Sequence, residues 1–309
     1  MTGKTSIGIL IFLLLTFAFI GVTHQPLKAD SERIKGSGNV IKKTIDINNV
    51  EGVNLATIGD MYIEYGDREE LVIEAEDNII NYFETKVKNN ILKVSLESNI
   101  NINTTEKVKY YLTLKKIEYL ATSSAGDIHA PDIQGAKLRV KVSSAGDINL
   151  QDIDVEDLDI DISSAGDVDL GVFKGENLDV DISSAGDMSA ERIDVSTAEI
   201  SLSSAGDVRF ELLTCDFLEA NLSSAGDMRI KKGKADEMDV GLSSSGDFHA
   251  QDLLSKSAKV RTSSVGDASV NVSGYLDAKT SSSGSIYVYG NPSTVDSWSS
   301  SLGRVKRMK

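Results

Sequence analysis

The chain repeats one short string, Ser-Ser-Ala-Gly-Asp, at a constant interval of 20 residues. Six copies are followed in the same phase by Ser-Ser-Ser-Gly-Asp and Ser-Ser-Val-Gly-Asp. A fixed period of this length is typical of solenoids, in which each repeat packs only against its neighbours. The eight copies place their glycine and aspartate at Gly126, Asp127, Gly146, Asp147, Gly166, Asp167, Gly186, Asp187, Gly206, Asp207, Gly226, Asp227, Gly246, Asp247, Gly266 and Asp267.

Apolar and polar residues alternate on both sides of each string. Leu158, Ile160 and Ile162 precede one copy, and Val168 and Leu170 follow it. This period of two is typical of β-strands with one buried face, so each repeat predicts at least two strands. The glycine is expected at the corner between them because it adopts backbone conformations that other residues resist. The neighbouring Ser and Asp side chains are expected to bond to free amides of the turn.

One repeat alone is too small to offset the conformational entropy lost when it becomes ordered, so the repeats must stack and pair their strands. The sequence therefore predicts an all-β fold, a parallel β-helix (β-solenoid) with 20-residue coils. A leucine-rich repeat has a similar period, but its Leu/Asn consensus and helical segment are absent from the sequence. A propeller needs about twice the period.

The first residues predict export. Residues 1–29 contain a basic residue, Lys4, an apolar run from Ser6 to Val22, and a small residue, Ala29. This order favours a cleaved signal peptide and leaves an uncleaved anchor as the alternative. The mature chain is then expected in the periplasm, on the outer membrane surface or outside the cell.

The rest of the chain divides by pattern into two parts. Residues 36–122 alternate without the strict period and are expected to form irregular first coils, with a short helical excursion at 77–83. Residues 123–309 form the regular array, whose last coils are degenerate. The basic residues after Gly303 are expected to block the addition of strands at that edge.

Composition limits the partners. The net charge of -15 argues against nucleic acid and against an anionic membrane surface, so a membrane contact is expected only through an uncleaved N-terminal segment. Cys215 is the only cysteine, so no internal disulfide can form, and its thiol is expected to be packed and not reactive.

Several motifs resemble the putative auto-transporter adhesin head GIN domain family. They are the opening Gly36-Ser37-Gly38-Asn39-Val40, the Gly59-Asp60-Met61-Tyr62-Ile63 segment, the Ala-Gly-Asp ladder, the closing Gly290-Asn291-Pro292, and Gly303-Arg304-Val305-Lys306-Arg307. The resemblance spans residues 36–307 and implies an exported bacterial protein with a right-handed parallel β-helix. It transfers no catalytic residue.

Stacking converts sequence columns into spatial ladders with about 4.8 Å between rungs. The corner aspartates, Asp127 to Asp267, form one such ladder, in which neighbouring carboxylates repel one another. Bonds from turn amides and Ser hydroxyls are the expected compensation, and calcium along the ladder is the alternative. No other cofactor and no other metal are expected.

A second column, which we call the acidic strip, lies seven residues before the glycines, on the outward parity of the strand. Arg139 and Lys259 bracket it. A solvated, solubilising face and a docking surface about 20 Å long both fit this pattern, since four rung intervals of about 4.8 Å separate its ends. The strip consists of Asp159, Asp179, Glu199, Glu219 and Asp239.

Signals of catalysis are sparse. His129 and His249 share a column six coils apart and cannot cooperate. Trp298 with Tyr287 and Tyr289 fits either a cap or a sugar-stacking patch. We therefore expect a non-catalytic, adhesin-like or scaffolding solenoid of the cell envelope, which binds an extracellular or periplasmic protein or glycan. A β-helical polysaccharide-processing enzyme and a purely structural periplasmic protein are the alternatives.

Overall fold

The computed structural model describes residues 32–308, and these form a parallel β-solenoid of about nine turns. The expected all-β fold is confirmed, with 64% of the residues in strands. The predicted signal segment at residues 1–29 lies outside the described residues. In the described part, no helix is long and apolar enough to cross a membrane.

The strands follow one another with one 3₁₀ helix, Ile80–Tyr82, near the start. The first nine are β1 (Glu32–Lys35), β2 (Val40–Asp46), β3 (Gly52–Ala56), β4 (Gly59–Tyr65), β5 (Glu70–Glu76), β6 (Phe83–Lys88), β7 (Ile91–Leu96), β8 (Ile100–Asn103) and β9 (Lys109–Leu114). The next nine are β10 (Tyr119–Thr122), β11 (Gly126–His129), β12 (Ile133–Val142), β13 (Ile148–Leu150), β14 (Ile153–Ile162), β15 (Val168–Lys174), β16 (Asn177–Ile182), β17 (Met188–Asp194) and β18 (Thr197–Leu202). The last nine are β19 (Val208–Phe210), β20 (Leu213–Leu222), β21 (Met228–Ile230), β22 (Gly233–Leu242), β23 (Phe248–Thr262), β24 (Ala268–Thr280), β25 (Ile286–Tyr289), β26 (Thr294–Ser299) and β27 (Val305–Arg307).

Each regular coil has three straight segments separated by bends. The bends are seen where the alternation of buried and exposed residues changes its parity. In one coil the buried positions are Ile148 and Leu150, then Ile153 and Val155, then 158, 160 and 162. We call the three sides face 1, face 2 and face 3 in that order. Paired exposed residues at 151–152 and 156–157 mark the bends. Since every coil contributes the same positions, the buried side chains form one continuous core.

The strand register follows the repeat. In the regular array each residue pairs with the residue 20 positions later, as Leu158 does with Leu178. Beyond β23 the offset changes, and Ala268 pairs with Ile286 while Leu276 pairs with Val295. An irregularity in the pairing of β23 with β24 absorbs the shorter coil. From β10 to β23, residues that are 20 positions apart in the sequence therefore lie side by side on the surface.

The corner glycines have a different role from the one expected from the sequence. None of the eight repeat glycines has a positive φ, so the expected special backbone conformation is wrong for them. A Cβ built on Gly146, Gly166 or Gly206 would instead lie far inside the van der Waals radius of the carbonyl oxygen of the preceding corner glycine. Glycine is required because successive coils approach too closely here for any side chain.

The N-terminal end is built from strands that are out of sequence order. On face 3 the order is β6, β7, β3, β10 and β12, and on face 1 it is β2, β5, β9, β4 and β11. The outermost pairs on both faces are antiparallel, whereas the array is parallel. Glu76 at the end of β5 is buried and accepts bonds from the Gly38 amide at 2.7 Å and the Thr105 amide at 3.1 Å. These bonds tie the first strands to the solenoid.

The glycine contact predicts a position-specific effect. We expect Gly206→Ala to lower the free energy of unfolding by about 1–3 kcal/mol or more, because its methyl group would overlap the Gly186 carbonyl. Gly135→Ala is the matched control, since nothing lies within 4 Å of its added Cβ. Urea unfolding of both variants checks this. Equal stability of G206A and wild type would contradict the close approach.

Candidate functional site

The corner aspartates bond from coil to coil. The amide of Asp147 donates to Asp127 Oδ1 at 2.9 Å, and the amide of Asp167 donates to Asp147 Oδ1 at 2.9 Å. The same bond recurs at 2.7–2.9 Å up to Asp267, which accepts in turn from the amide of Ser285. The ladder therefore links each coil to the next by a charge-assisted bond parallel to the solenoid axis.

The other expectations for this ladder are only partly met. The Ser hydroxyls do not reach the carboxylates, and Ser143 Oγ instead donates to the Thr122 carbonyl at 3.4 Å. Desolvation, opposed by the bond from the Asp167 amide and reinforced by neighbouring carboxylates, raises the pKa of Asp147. In the described residues, no three His, Cys, Asp or Glu side chains are grouped as a metal site would require. Calcium along the ladder stays a hypothesis.

The acidic strip lies along face 3, and its members are direct partners in the strand register. Its two ends are neutralised. Arg139 Nε lies 3.5 Å from Asp159, and Lys259 Nζ lies 2.7 Å from Asp239. Within residues 32–308 the three middle members, Asp179, Glu199 and Glu219, take part in no ion pair. The unneutralised charge is therefore concentrated at the centre of face 3.

Neighbouring charges alter the titration of the strip. Desolvation and then the carboxylates of Asp181, Asp159 and Glu199 raise the pKa of Asp179. Desolvation also raises the pKa of Asp239, although Arg261 opposes the shift. When folding raises the pKa of a carboxyl group, the free energy of unfolding is lower with that group charged than with it protonated. The charged form of Asp179 therefore lowers the stability of the folded chain at neutral pH.

A groove of about 530 Å³ runs beside the strip on the same face. The outward column two residues nearer the corner carries small polar residues here, namely Ser201, Asn221 and Gly241. Serines of the corner strings form the opposite wall, and Arg261 closes the groove at one end. Hydroxyl groups therefore line the groove, and the acidic strip lies one outward column away from it.

A cleft of about 400 Å³ lies at the N-terminal end of the same face. The outward column that contains the strip continues there through Arg139, Tyr119, Gly52 and Ile91. Gly52 is in close contact with Tyr119, because a Cβ built on it would lie 2.5 Å from the Tyr119 carbonyl oxygen, and Asn90 in the turn between β6 and β7 borders the cleft. The cleft is lined by Glu51, Asn89, Asn90, Ile91, Glu118, Tyr119, Lys137, Leu138, Arg139, Asp157 and Asp159.

The charges of the cleft are of both signs. Lys116 lies 2.5 Å from Glu118 and 4.0 Å from Glu51, and Asn90 donates to Glu51 at 3.2 Å. Lys137 stands directly beside Asp157 in the strand register. Charged groups of both signs therefore lie near the half-buried Tyr119, and the cleft opens onto the strip at Asp159.

The model of the family described as "Putative auto-transporter adhesin, head GIN domain" matches residues 49–211 and 197–292. The chain belongs to this family. Its fold is similar to a putative adhesin from Parabacteroides merdae, with TM-score 0.51 and 16% identity over 90% of this chain and 99% of the other. A putative adhesin from Parabacteroides distasonis is 18% identical, with TM-score 0.51 over 90% and 100%. No curated protein matches the chain.

At these identities the likeness to the two solved putative adhesins supports the fold and no ligand. The cleft and the groove in this member were missed in the sequence. The groove had a signal in the sequence, because three small residues occupy positions that are 20 residues apart. They are Ser201, Asn221 and Gly241. The cleft had no such signal in the sequence. Glu51, Asn90 and residues of the regular array meet there only because strands pair out of sequence order.

The remaining candidates lie outside the acidic strip. His129 and His249 are both on face 1, where His129 stacks on Tyr62 with 4.9 Å between ring centroids. Trp298 is 53% exposed on face 3, whereas Tyr287 lies on face 1 beneath Lys306, so they form no joint patch. Cys215 is buried, and desolvation raises the pKa of its thiol to about 12.

The repulsion within the strip predicts a stabilising substitution. We expect Asp179→Asn to raise the free energy of unfolding at pH 7 by up to about 1 kcal/mol. The gain should shrink as the pH falls through the raised pKa of Asp179, because the native side chain then becomes neutral as well. Chemical unfolding of wild type and D179N over a pH series measures this.

Glu237→Gln is the control for that experiment. Glu237 is exposed at the bend that precedes face 3, but its partners in the register are the uncharged Phe217 and Ser257. E237Q should change the stability by no more than about 0.5 kcal/mol at any pH. A D179N variant that is less stable than wild type at pH 7 would contradict repulsion in the strip.

Proposed function

We propose that this chain is an exported, non-catalytic binding solenoid of the cell envelope, which holds a polymeric ligand with positive charges along face 3. Membership of the putative adhesin family supports surface exposure and binding. The observation that carries the choice of face is the row of Asp179, Glu199 and Glu219, which lack basic partners in the described part of the chain and border a groove.

A row of neighbouring carboxylates has a physical cost, which supports a role for it. Carboxylates one rung apart, at about 4.8 Å, repel one another, and neutral polar residues would solubilise the face equally well. The corner aspartates offset their repulsion by accepting amide bonds, whereas Asp179 and Glu199 have no such bond to an amide of the next coil. A cationic ligand would relieve the repulsion on binding.

The binding test uses a lysine oligomer as the cationic probe and isothermal calorimetry as the readout. We expect the double variant Glu199→Gln and Glu219→Gln to raise the dissociation constant roughly tenfold, since each exposed ion pair contributes up to about 1 kcal/mol. Affinity should also fall as salt is added.

A second double variant, Glu191→Gln with Glu237→Gln, removes the same charge from exposed positions outside the strip. It should bind the probe like wild type. Equal losses in both double variants would show that only the net charge matters and would overturn the assignment to face 3.

The polysaccharide-processing alternative would place its chemistry in the cleft, where Glu51 and Glu118 converge on Lys116. We propose binding without turnover, because Glu118 is held in an ion pair and is not free to act as an acid or a base. Release of new reducing ends from a glucosamine polymer by the purified chain would decide for the enzyme.

A further inference from the structure

We propose that the C-terminal end of face 1 binds an acidic, extended segment of another protein, which adds to the solenoid as one more β-strand. The segment pairs with residues 304–308, which contain β27 and which we call the C-terminal edge. This inference goes beyond the proposed function, because it concerns a different surface and a partner of the opposite charge. It is carried by three features of the same edge: free backbone groups, basic side chains without acidic partners, and exposed apolar side chains.

The C-terminal edge has a neighbouring strand on one side only. In the described residues, β27 pairs with β25 and with no later strand. The amide of Met308 donates to the Val288 carbonyl at 2.9 Å, and the Arg304 carbonyl accepts a bond from a β25 amide at 2.9 Å. Since alternate residues of a strand face opposite neighbours, the N–H and C=O groups of Val305 and Arg307 point away from β25. These groups can pair with an added strand.

Basic side chains without acidic partners accompany these free groups. Arg304, Lys306 and Arg307 are exposed, and within residues 32–308 none of them forms an ion pair. Lys306 Nζ lies 5.0 Å from the centre of the Tyr287 ring, and the three residues opposite β27 in the strand register are uncharged. The edge is therefore positively charged, although the chain as a whole carries a net charge of -15.

The other outer strands of faces 1 and 3 differ from this edge. At the N-terminal end, Lys42 of β2 lies 3.1 Å from Glu74, and Lys86 of β6 lies 2.8 Å from Glu84. At the C-terminal end of face 3, Asp296 is the only charged residue of β26. In the described part of the chain, β27 is thus the outer strand with no acidic residue in it or opposite it in the register.

Apolar side chains lie at the same edge and would be covered by an added strand. Leu302, just before the edge, is 79% exposed, and Met308 at its end is 39% exposed. Val305 pairs with the buried Ile286 and points towards the core, but it is only half-buried because it belongs to the last described coil. Burial of this apolar surface favours association.

The alternation of side chains along the edge selects the sequence of its partner. Arg304 and Lys306 share the outward side of the strand, whereas Val305 points inward. A segment that alternates carboxylates with apolar residues can place its acids beside the two bases and an apolar residue beside Val305. Basic residues oppose a strand of like charge, so the same edge of a second copy is disfavoured. The partner is therefore an acidic, strand-forming segment of another protein.

Three labelled octapeptides with capped ends test the proposal by fluorescence anisotropy with the purified chain. They alternate valine with glutamate, valine with glutamine, and glycine with glutamate. The valine-glutamate probe should bind at least tenfold more tightly than the other two, because valine-glutamine lacks the charge and glycine-glutamate has a low strand propensity. General attraction cannot produce this result, since probe and chain are both acidic. No binding of the valine-glutamate probe would overturn the inference and leave the proposed function standing.

Variants of the edge separate its charge from its backbone groups. The double variant Arg304→Glu and Lys306→Glu should weaken binding of the valine-glutamate probe at least tenfold. Val305→Pro and Val305→Ala both remove the valine side chain, but only V305P removes the free N–H. V305P should therefore bind the probe at least fivefold more weakly than V305A. Equal binding by V305P and V305A, or wild-type binding by the charge-reversed variant, would overturn the proposal.

Ser297→Pro is the matched control on the other open strand at this end. The amide of Ser300 donates to the Thr280 carbonyl at 3.0 Å, so the amide of Ser297, at the opposite parity of β26, points away from β24. S297P should bind the probe like wild type, and thermal unfolding checks that each variant is folded. A larger loss in S297P than in V305P would place the partner on face 3 and overturn the proposal.

The same variants separate this edge from the acidic strip and from a second copy. E199Q with E219Q should leave binding of the valine-glutamate probe unchanged, and V305P should leave binding of the lysine oligomer unchanged. In analytical ultracentrifugation, the chain alone should sediment at the same rate with and without V305P. A dimer that dissociates in V305P would assign the edge to a second copy and overturn the proposal of another protein.

Discussion

The close approach of successive coils at the glycine corner is the constraint on which the rest of this structure depends. At that corner the carbonyl of one glycine occupies the space that a side chain on the next would need. Beside it, the amide of each aspartate donates to the carboxylate of the aspartate one coil earlier. The contact and the bond act on neighbouring residues, so together they fix the spacing and the register of the coils at one edge.

A fixed register makes every column a straight ladder, and this has opposite consequences in two columns. At the corner, the carboxylates are brought together but each accepts an amide bond, so the repeated aspartate serves the fold. On face 3 the same spacing brings together Asp179 and Glu199 without such bonds, and partial burial and repulsion raise the pKa of Asp179. The most regular residues of the sequence are structural, and the less regular column carries the binding proposal.

The 20-residue period was sufficient to predict the parallel β-solenoid, the inward parity of residues such as Ile160, and the alignment of the strip. The period did not reveal why glycine occupies the corner, because a tight contact between coils and an unusual backbone angle both favour glycine. It also gave no information on residues 36–122, where β3 pairs with both β7 and β10 although these strands are far apart in the chain. Pairing between such distant segments depends on packing that no local pattern encodes, so the cleft at the N-terminal end of face 3 was not foreseen.

Hydrogen exchange resolved to single amides tests the corner most directly. The account predicts that the amides of Asp147, Asp167, Asp187 and Asp207 exchange as slowly as those of the buried strand residues in the same coils, because each is bonded to the carboxylate of the preceding coil. Exchange of these amides at the rate of freely exposed turn amides would contradict it, since the carboxylate ladder would then not hold the coils together.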